Sequence, residues 1–261
     1  MTVTNRHIDP ILLESTPGGL LRSTRLLPEG VGDWTGGIVF TSNCGGANTW
    51  GCTYSDEKTI LDKGDPVEFD PFFVYGSARC SGAPDVPELT LISQIRLRRG
   101  MSGALANELY RSNPDVANPD LETTAVDITP GASPCIDKAI AGLLSTAADC
   151  GGGDIVIHAP LVALASLMSL NLVDFSDGRY RIGGHTIVVD SYPNEPPTGG
   201  AVAGANQAWL YSTGPVEYRL GETIDIQQFT GRTNESIVLA EQLAILRFDP
   251  CCVYAILADI C

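Results

Sequence analysis

The first third of the chain alternates short apolar runs with turns and shows no sustained helical period. In residues 1–35, apolar pairs are separated by Pro and Gly, so this segment cannot build a core alone and must pack on another surface. We predict an extended N-terminal arm there. Residues 36–84 alternate β-prone runs with Gly-containing turns, which predicts a long, extended β-hairpin loop. Within this loop, Pro71 favours a strand edge or a break.

Helical spacing begins in the middle of the chain. Residues 87–112 place Pro87 in a first turn, and Gly100 and Gly103 weaken the middle of the segment. The apolar positions at helical intervals are Leu89, Ile92, Leu105 and Leu109. This pattern predicts one long helix.

A second helix is predicted over residues 134–149, where Ser133 would cap the first turn and Pro134 would open it. Residues 154–158 follow as a short buried strand. A third helix is predicted over 159–170, and its nearly all-apolar sequence predicts burial on most of its sides.

The rest of the chain has the pattern of strands joined by turns. Residues 172–182 predict a hairpin around Asp177–Gly178. The last segment, 235–248, fits either a helix or a strand by its apolar spacing. Further strands are predicted at 185–190, 208–212, 216–219 and 223–229.

The charge of the chain is strongly acidic, because 16 Lys and Arg face 31 Asp and Glu, a formal net charge of -15. A protein that reads free DNA would carry a basic stripe, since phosphate neutralisation supplies much of its affinity. The longest basic cluster is Arg96, Arg98 and Arg99, which fits a solvated or subunit-facing helix side. The composition therefore favours pairing with copies of the same chain over sequence-specific DNA binding.

The N-terminal sequence lacks the apolar stretch of a signal peptide, and no stretch approaches the roughly 20 apolar residues of a membrane span. We expect a protein that is made and kept in a cytoplasm, without a membrane partner. In that reducing compartment the eight cysteines are expected to be buried free thiols. A zinc site formed by Cys44, Cys52 and Cys80 is the alternative.

Motifs that carry catalytic chemistry are absent from the sequence: it has no phosphate loop, zinc-protease motif, nucleophile elbow or dinucleotide fingerprint. His158 could form a nucleophile–base pair with Asp154 or a cysteine. A histidine that follows an apolar strand is more often a hydrogen-bonded structural residue. We therefore predict no enzyme activity, no catalytic residue, no cofactor and no metal.

Large aromatic residues suggest where the chain contacts other molecules. Trp209, within Ala-Trp-Leu-Tyr, is expected in the core. Other aromatic residues lie in segments too extended to bury them fully, which favours intermolecular contact. With the nearby basic residues, the candidate subunit-interface positions are Trp34, Trp50, Lys58, Lys63, Phe72, Phe73, Arg96, Arg98 and Arg99.

The order of these elements resembles the major capsid protein fold of tailed bacteriophages, which encapsulin shell proteins share. The chain shows the same succession of arm, long hairpin, long helix, second helix, buried strand, apolar helix, hairpin, strands and a final run closed by proline. The stretches that carry the resemblance are Phe69–Tyr75, Ile155–Pro160, Gly183–Val189, Trp209–Val216 and Ala240–Pro250.

The resemblance implies an α+β fold with an N-terminal arm, an extended β-hairpin loop, a long spine helix in a peripheral domain, and a mixed-sheet axial domain. In that family the final run is a strand that returns to the peripheral domain, so a strand is expected at 235–248. The implied divisions are an arm at 1–35, a hairpin at 36–84, a peripheral domain at 85–132 and 235–250, and an axial domain at 133–234 and 251–261.

The resemblance also implies a structural virion protein. Copies would assemble as hexamers and pentamers into an icosahedral head that encloses DNA without reading its sequence, with assembly in the host cytoplasm. Scaffold, portal or decoration proteins are further expected partners. The alternatives are a minor capsid or head–tail connector subunit, or an encapsulin-like compartment shell.

Overall fold

The computed structural model describes residues 19–26, 34, 37–41, 66–81, 86–150, 153–230 and 232–261. Its helices are α1 (Leu20–Ser23), α2 (Val86–Tyr110), α3 (Leu121–Thr124), α4 (Ile136–Asp149) and α5 (Leu164–Ser169), with 3-10 turns at Leu161–Ala163 and Pro250–Cys252. Its strands are β1 (Arg25–Leu26), β2 (Ile38–Thr41), β3 (Pro66–Phe69), β4 (Phe72–Ser81), β5 (Val126–Asp127), β6 (Val156–Pro160), β7 (Asp174–Ser176), β8 (Arg179–Ile182), β9 (His185–Asp190), β10 (Gln207–Thr213), β11 (Glu217–Thr230), β12 (Glu235–Arg247) and β13 (Tyr254–Asp259).

A four-stranded sheet, in the order β1-β11-β12-β4, carries the long helix α2 across one face. Strand β4 alternates strictly between buried and exposed residues, as a strand with one covered face must. Helix and strand touch at Gly76, where an added Cβ would overlap the backbone oxygen of Ser93 and the backbone nitrogen of Leu97. The missing side chain lets the two backbones meet.

A seven-stranded mixed sheet has the order β5-β13-β10-β6-β9-β8-β7. Its central strands β6, β10 and β13 are buried along nearly their whole length, which indicates that both faces are covered. One face packs with α4 around Ile140, Leu143 and Ile157. The other face shares a core with α2 and the four-stranded sheet, centred on Trp209 and Tyr211.

Asp190, at the end of β9, joins three parts of the chain. Its buried Oδ2 accepts a hydrogen bond from the Leu20 N–H at 2.8 Å and another from the Ser102 hydroxyl at 2.5 Å. The short helix α1, the long helix α2 and the seven-stranded sheet therefore meet at one carboxylate. Leu20 is fully buried there, so the described end of the predicted arm belongs to the core of the subunit.

Strands β2 and β3 pair as a separate two-stranded antiparallel sheet, in which Ile38 lies opposite Phe69. These strands lie within the predicted hairpin loop, 36–84, and residues 42–65 of that loop lie outside the described residues. Strand β4 is separated from β3 by Pro71 and belongs to the four-stranded sheet. The predicted break at Pro71 is confirmed, and the hairpin boundary at 84 stays a prediction.

Several other predicted boundaries also change. Strands expected at 216–219 and 223–229 form the single strand β11, with a register shift between Leu220 and Thr223. This strand pairs with β12 in the four-stranded sheet, so it does not belong with the predicted 133–234 unit. Conversely, β5 pairs with β13 in the seven-stranded sheet, although 85–132 was assigned to the other unit. The strand expected at 235–248 is confirmed as β12.

Two local predictions about the second and third helices are wrong. Ser133 does not cap α4: its hydroxyl donates to Asp259, and Cys135 takes the N-cap position without a side-chain cap. The expected third helix is a 3-10 turn followed by the short α5. It is not buried on most sides, because Leu161 and Met168 are about half exposed, at 51% and 50%.

The cysteine prediction is also corrected. Cys135 is bonded to Cys261 and Cys150 to Cys252, with Cα separations of 5.9 and 6.0 Å. Cys251 is disulfide-bonded as well. The two bridges tie both ends of α4 to the two ends of β13, and this proximity arises only in the fold. Within the described part of the chain Cys80 is the free thiol, and Cys44 and Cys52 lie outside it.

Candidate subunit interface

The face of the four-stranded sheet opposite α2 is apolar and open to solvent. Phe73 and Tyr75 on β4 are 60% and 65% exposed, and Ile224 and Ile226 on β11 are 56% and 43% exposed. Exposed aromatic and β-branched residues that share a sheet face are a candidate interaction surface rather than scattered surface positions. We refer to these four residues, with the β12 residues between them, as the open face.

The strand register shows how the open face extends across three strands. Opposite residues in a ladder project to the same side, and β12 brings Leu239 beside Ile226 and Leu243 beside Phe73. Leu239 and Leu243 are partly buried. The result is an apolar surface that spans three strands from β4 to β11.

Polar residues interrupt the open face in register. Glu241 lies between Tyr75 and Ile224, and Arg79 lies opposite Ile237 on the adjacent strand. Arg79 forms an ion pair with Glu235 at the far end of the same ladder, and this pair lowers the pKa of the Glu235 carboxyl. Apolar area with a few charged groups is the composition of a protein–protein interface.

A groove of about 190 Å³ extends from this face along β4, between Tyr75 on the strand and Glu108 on α2. Burial raises the pKa of the Glu108 carboxyl. In the described residues β4 pairs only with β12, so its other edge is the border of the sheet. A ten-residue edge strand is a ready template for another chain.

Phe72 and Phe73 were both predicted to lie at an interface, and the structure separates them. Phe72 is 6% exposed and packs in the core beneath α2, while Phe73 belongs to the open face. The prediction for Phe72 is therefore wrong, because side chains alternate along a strand and only one of two neighbours can face outward. For Phe73 an intermolecular role stays a prediction.

The three predicted interface arginines lie along α2. Arg96 donates to the backbone oxygen of Ser77 at 2.5 Å, so it covers part of the β4 edge within the subunit. Arg98 and Arg99 are exposed. An interface role for these arginines remains a prediction.

Trp34 lies close to the open face, because a Cβ on Gly221 would be 3.5 Å from its indole ring and 3.4 Å from Leu243. It is partly buried. Trp50, Lys58 and Lys63 lie outside the described residues.

A second exposed apolar patch, missed in the sequence, surrounds α5. Its half-exposed members are Leu161, Val162, Met168, Leu170 and Phe175. The uniform apolar character of 159–170 suggested a buried helix. The patch is exposed because the turn and the short helix bury Ala163, Ser166 and Leu167 and pack Leu164 against the core, while the remaining apolar side chains face away from it.

His158 is enclosed in the core and does not form a catalytic pair. Nδ1 lies 2.8 Å from the Tyr192 hydroxyl and Nε2 lies 2.9 Å from the Thr213 hydroxyl. Thr213 donates its own proton to the Gly214 carbonyl, so Nε2–H donates to Thr213 and Nδ1 accepts from Tyr192. Burial lowers the pKa of His158 to about 3, and the ring is neutral at pH 7. Asp154 instead pairs with Arg25 at 2.6 Å.

The described residues contain no group of three or more His, Cys, Asp or Glu side chains arranged for a metal ion. Among the same residues, no helix is long and apolar enough to cross a membrane.

Solved structures share this fold. A GTA particle capsid aligns over 99% of this chain and 95% of its own, with 9% identity and a TM-score of 0.61. A structure from Mycobacterium phage Ogopogo aligns over 97% and 96%, with 14% identity and a TM-score of 0.58. A structure from Gordonia phage Cozz aligns over 97% and 90%, with 11% identity and a TM-score of 0.57.

No protein-family model matches the sequence, and no curated protein matches it. The likeness is therefore one of fold, over nearly the full length of each chain. The predicted α+β fold of the phage capsid type is confirmed.

Proposed function

We propose that this chain is the major capsid subunit of a tailed bacteriophage, and that its copies assemble into an icosahedral shell enclosing DNA. The open face is the observation that carries this proposal. A monomer that keeps an apolar surface across three strands exposes area that a partner would bury favourably, at roughly 25 cal/mol per Å². The fold it shares with a GTA particle capsid supports a second copy of the chain as that partner.

In the proposed shell, the arm and the hairpin loop of one subunit lie over the sheet of a neighbour within hexamers and pentamers. The described stem of the loop, β2–β3, supports this arrangement because it pairs as a two-stranded sheet of its own, anchored to the core by Phe69, which packs on Phe248. Val39 on this stem is 59% exposed. An apolar residue there has area to bury against a second subunit.

The proposed arm ends near residue 19, because residues 20–26 pack in this subunit. Leu20 is fully buried, and β1 pairs in parallel with β11. A deletion of residues 1–35 would therefore remove part of the core. A deletion of residues 2–18 is the sharper test: it should leave a folded monomer that no longer forms closed shells.

The acidic charge suits a container for DNA. A net charge of -15 opposes tight binding of the enclosed phosphate backbone. We propose a virion location, with scaffold, portal or decoration proteins as further partners, and no enzymatic role.

Negative-stain electron microscopy tests the proposal, with the protein expressed alone and together with its neighbouring genes. Closed shells or hexamer and pentamer rings are expected. A ring of one small, fixed copy number would instead support a connector subunit, and an enclosed enzyme cargo would support a compartment shell. A dispersed monomer in both preparations would contradict an assembling shell.

A matched pair of variants tests the open face itself. Ile226→Asp places a charge on the open face, and Gln227→Asp places the same charge on the next residue, which faces the other side. We expect Ile226→Asp to fold with an unchanged circular dichroism spectrum and to form no shells, because a buried unpaired carboxylate opposes the contact. Gln227→Asp should still assemble. Normal shells from Ile226→Asp would exclude the open face as the interface.

A further inference from the structure

A polar cavity of about 160 Å³ opens between the two large sheets, beside β1. The strand register places Val156, Thr186 and Arg181 side by side on β6, β9 and β8, and all three line the cavity. Ser23 and Arg25, from the N-terminal segment, also line it. The cavity is therefore built where that segment meets the seven-stranded sheet.

The charge of this cavity is opposite to that of the molecule. Arg25, Arg179 and Arg181 line it together with a single carboxylate, Asp154. Not counting His185, these four side chains carry a net charge of +2, in a chain whose formal net charge is -15. Because like charges repel, grouping these cations raises the free energy of the folded state unless an anion compensates them.

The hydrogen bonds around the cavity leave one buried donor unmatched. Arg25 is held by Asp154 at 2.6 Å, and the Nε of Arg179 donates to the backbone oxygen of Arg22 at 2.8 Å. The Nε of Arg181 is buried and has no hydrogen-bond partner among the described residues. A buried charged donor without an acceptor is costly, and such a group in a native fold marks the place of an ordered ion or water.

Asp174 is a second carboxylate that could neutralise Arg181, because the two residues lie directly opposite each other in the β7–β8 ladder. It is exposed, it does not line the cavity, and it leaves the Nε of Arg181 unmatched. Asp174 therefore does not supply the acceptor for this donor.

We propose that this cavity is a binding site for a phosphate-type oxyanion. The guanidinium groups of Arg179 and Arg181 offer planar forks of N–H donors, which match the oxygens of a phosphate in pairs. The volume exceeds what one water molecule needs, so a tetrahedral anion fits. Arg25 places the N-terminal segment against the same ligand, and an occupied site would fasten that segment to the seven-stranded sheet.

Equilibrium dialysis of the full chain against radiolabelled inorganic phosphate tests this site, with sodium chloride holding the ionic strength constant. Wild-type protein should bind about one phosphate per chain in a saturable manner. Arg181→Gln and Arg179→Gln should each weaken binding at least tenfold. Arg98→Gln, which removes an exposed arginine from α2, should bind phosphate as the wild type does. Thermal unfolding should show a phosphate-dependent rise in Tm that Arg181→Gln lacks.

Competition with a short duplex DNA identifies the source of the oxyanion. If the duplex displaces labelled phosphate, the site takes a backbone phosphate of nucleic acid; if it does not, the site takes a free anion, and either result supports the site. Absence of saturable binding in the wild type would overturn the proposal. Equal binding by wild type and both cavity variants, all of them folded by circular dichroism, would also overturn it, because the phosphate would then bind elsewhere.

Discussion

The four-stranded and seven-stranded sheets bury their residues in different ways. The central strands of the seven-stranded sheet are covered on both faces, by α4 on one side and by the shared core on the other, and two disulfides fasten α4 across β13. In the described part of the chain, α2 covers β4 and β12 of the four-stranded sheet on one face, and the other face exposes Phe73, Tyr75, Ile224 and Ile226.

This difference separates a region that is largely covered within the subunit from one that leaves an apolar sheet face exposed. Contacts within the subunit bury the central strands of the seven-stranded sheet and stabilise it. The four-stranded sheet keeps apolar side chains exposed on the open face, and it is held to α2 at the close contact of Gly76. Changes to the first region should alter the stability of the monomer, whereas changes to the open face should alter assembly.

Reduction of the disulfides should have the largest effect on stability, and it should act on the seven-stranded sheet and α4. The bridges close loops of 126 and 102 residues. The first bridge formed should stabilise the fold by about 4 to 5 kcal/mol, because it restricts the unfolded chain. The second adds less, because the loops are nested. Denaturation in guanidinium chloride, with and without a reductant, measures the loss. Cys252→Ser should show part of it and Cys80→Ser almost none; an unchanged midpoint after reduction would contradict the role of the bridges.

Phe72 and Phe73 place the same residue type on opposite faces of the four-stranded sheet, so substituting each one compares the two faces. Phe72→Ala should lower the free energy of unfolding by about 3 to 5 kcal/mol, because it opens a cavity under α2. Phe73→Ala should change it by less than about 0.5 kcal/mol and should reduce shell formation instead. Chemical denaturation and particle yield together measure both. Equal destabilisation by the two variants would mean that the open face is buried within the monomer.

Gly76→Ala should separate α2 from its sheet. The new Cβ meets helix backbone rather than a flexible side chain, so α2 must shift, at a cost of about 3 kcal/mol. Gly100→Ala is the control within the same helix, since its added Cβ meets nothing within 4 Å. That variant should gain about 0.5 to 1 kcal/mol. Urea denaturation measures the free energy of unfolding of both variants. A gain of stability in Gly76→Ala as well as in Gly100→Ala would rule out the close contact.

Acid should weaken the seven-stranded sheet through His158. Its pKa is about 3 in the folded chain, below the value near 6.5 of an unfolded histidine. Between these values the unfolded state binds the proton more readily, so stability is complete above pH 6.5 and falls as the pH drops towards 3. From pH 7 to pH 5 the loss is about 2 kcal/mol. His158→Gln should remove that part of the pH dependence and His185→Gln should keep it; identical pH profiles for wild type and His158→Gln would contradict the assignment.

Elements with a clear period were predictable from the sequence. The long helix expected at 87–112 is α2, Val86–Tyr110, and the Asp177–Gly178 turn forms with positive φ at both residues. Trp209 is buried as expected. In each case the signal is local, because side chains three or four residues apart, or two apart, already share a face.

The candidate interface was predictable only in part. Phe73 was identified and Ile224, Ile226 and the α5 patch were missed, because exposure depends on which neighbours cover a residue rather than on its own type. Alternation along β11 shows that Ile224 and Ile226 share a face, but only the strand register places that face beside Tyr75 and Leu239.

The sequence by itself therefore determined the succession of helices and strands, the acidic charge and the resemblance to a capsid fold. The tertiary structure decided which sheet face stays open, which cysteines meet, and which arginines line one cavity. Cys135 meets Cys261 and Arg25 meets Asp154 across more than a hundred residues. Strand order and register create such contacts, and no local pattern records them.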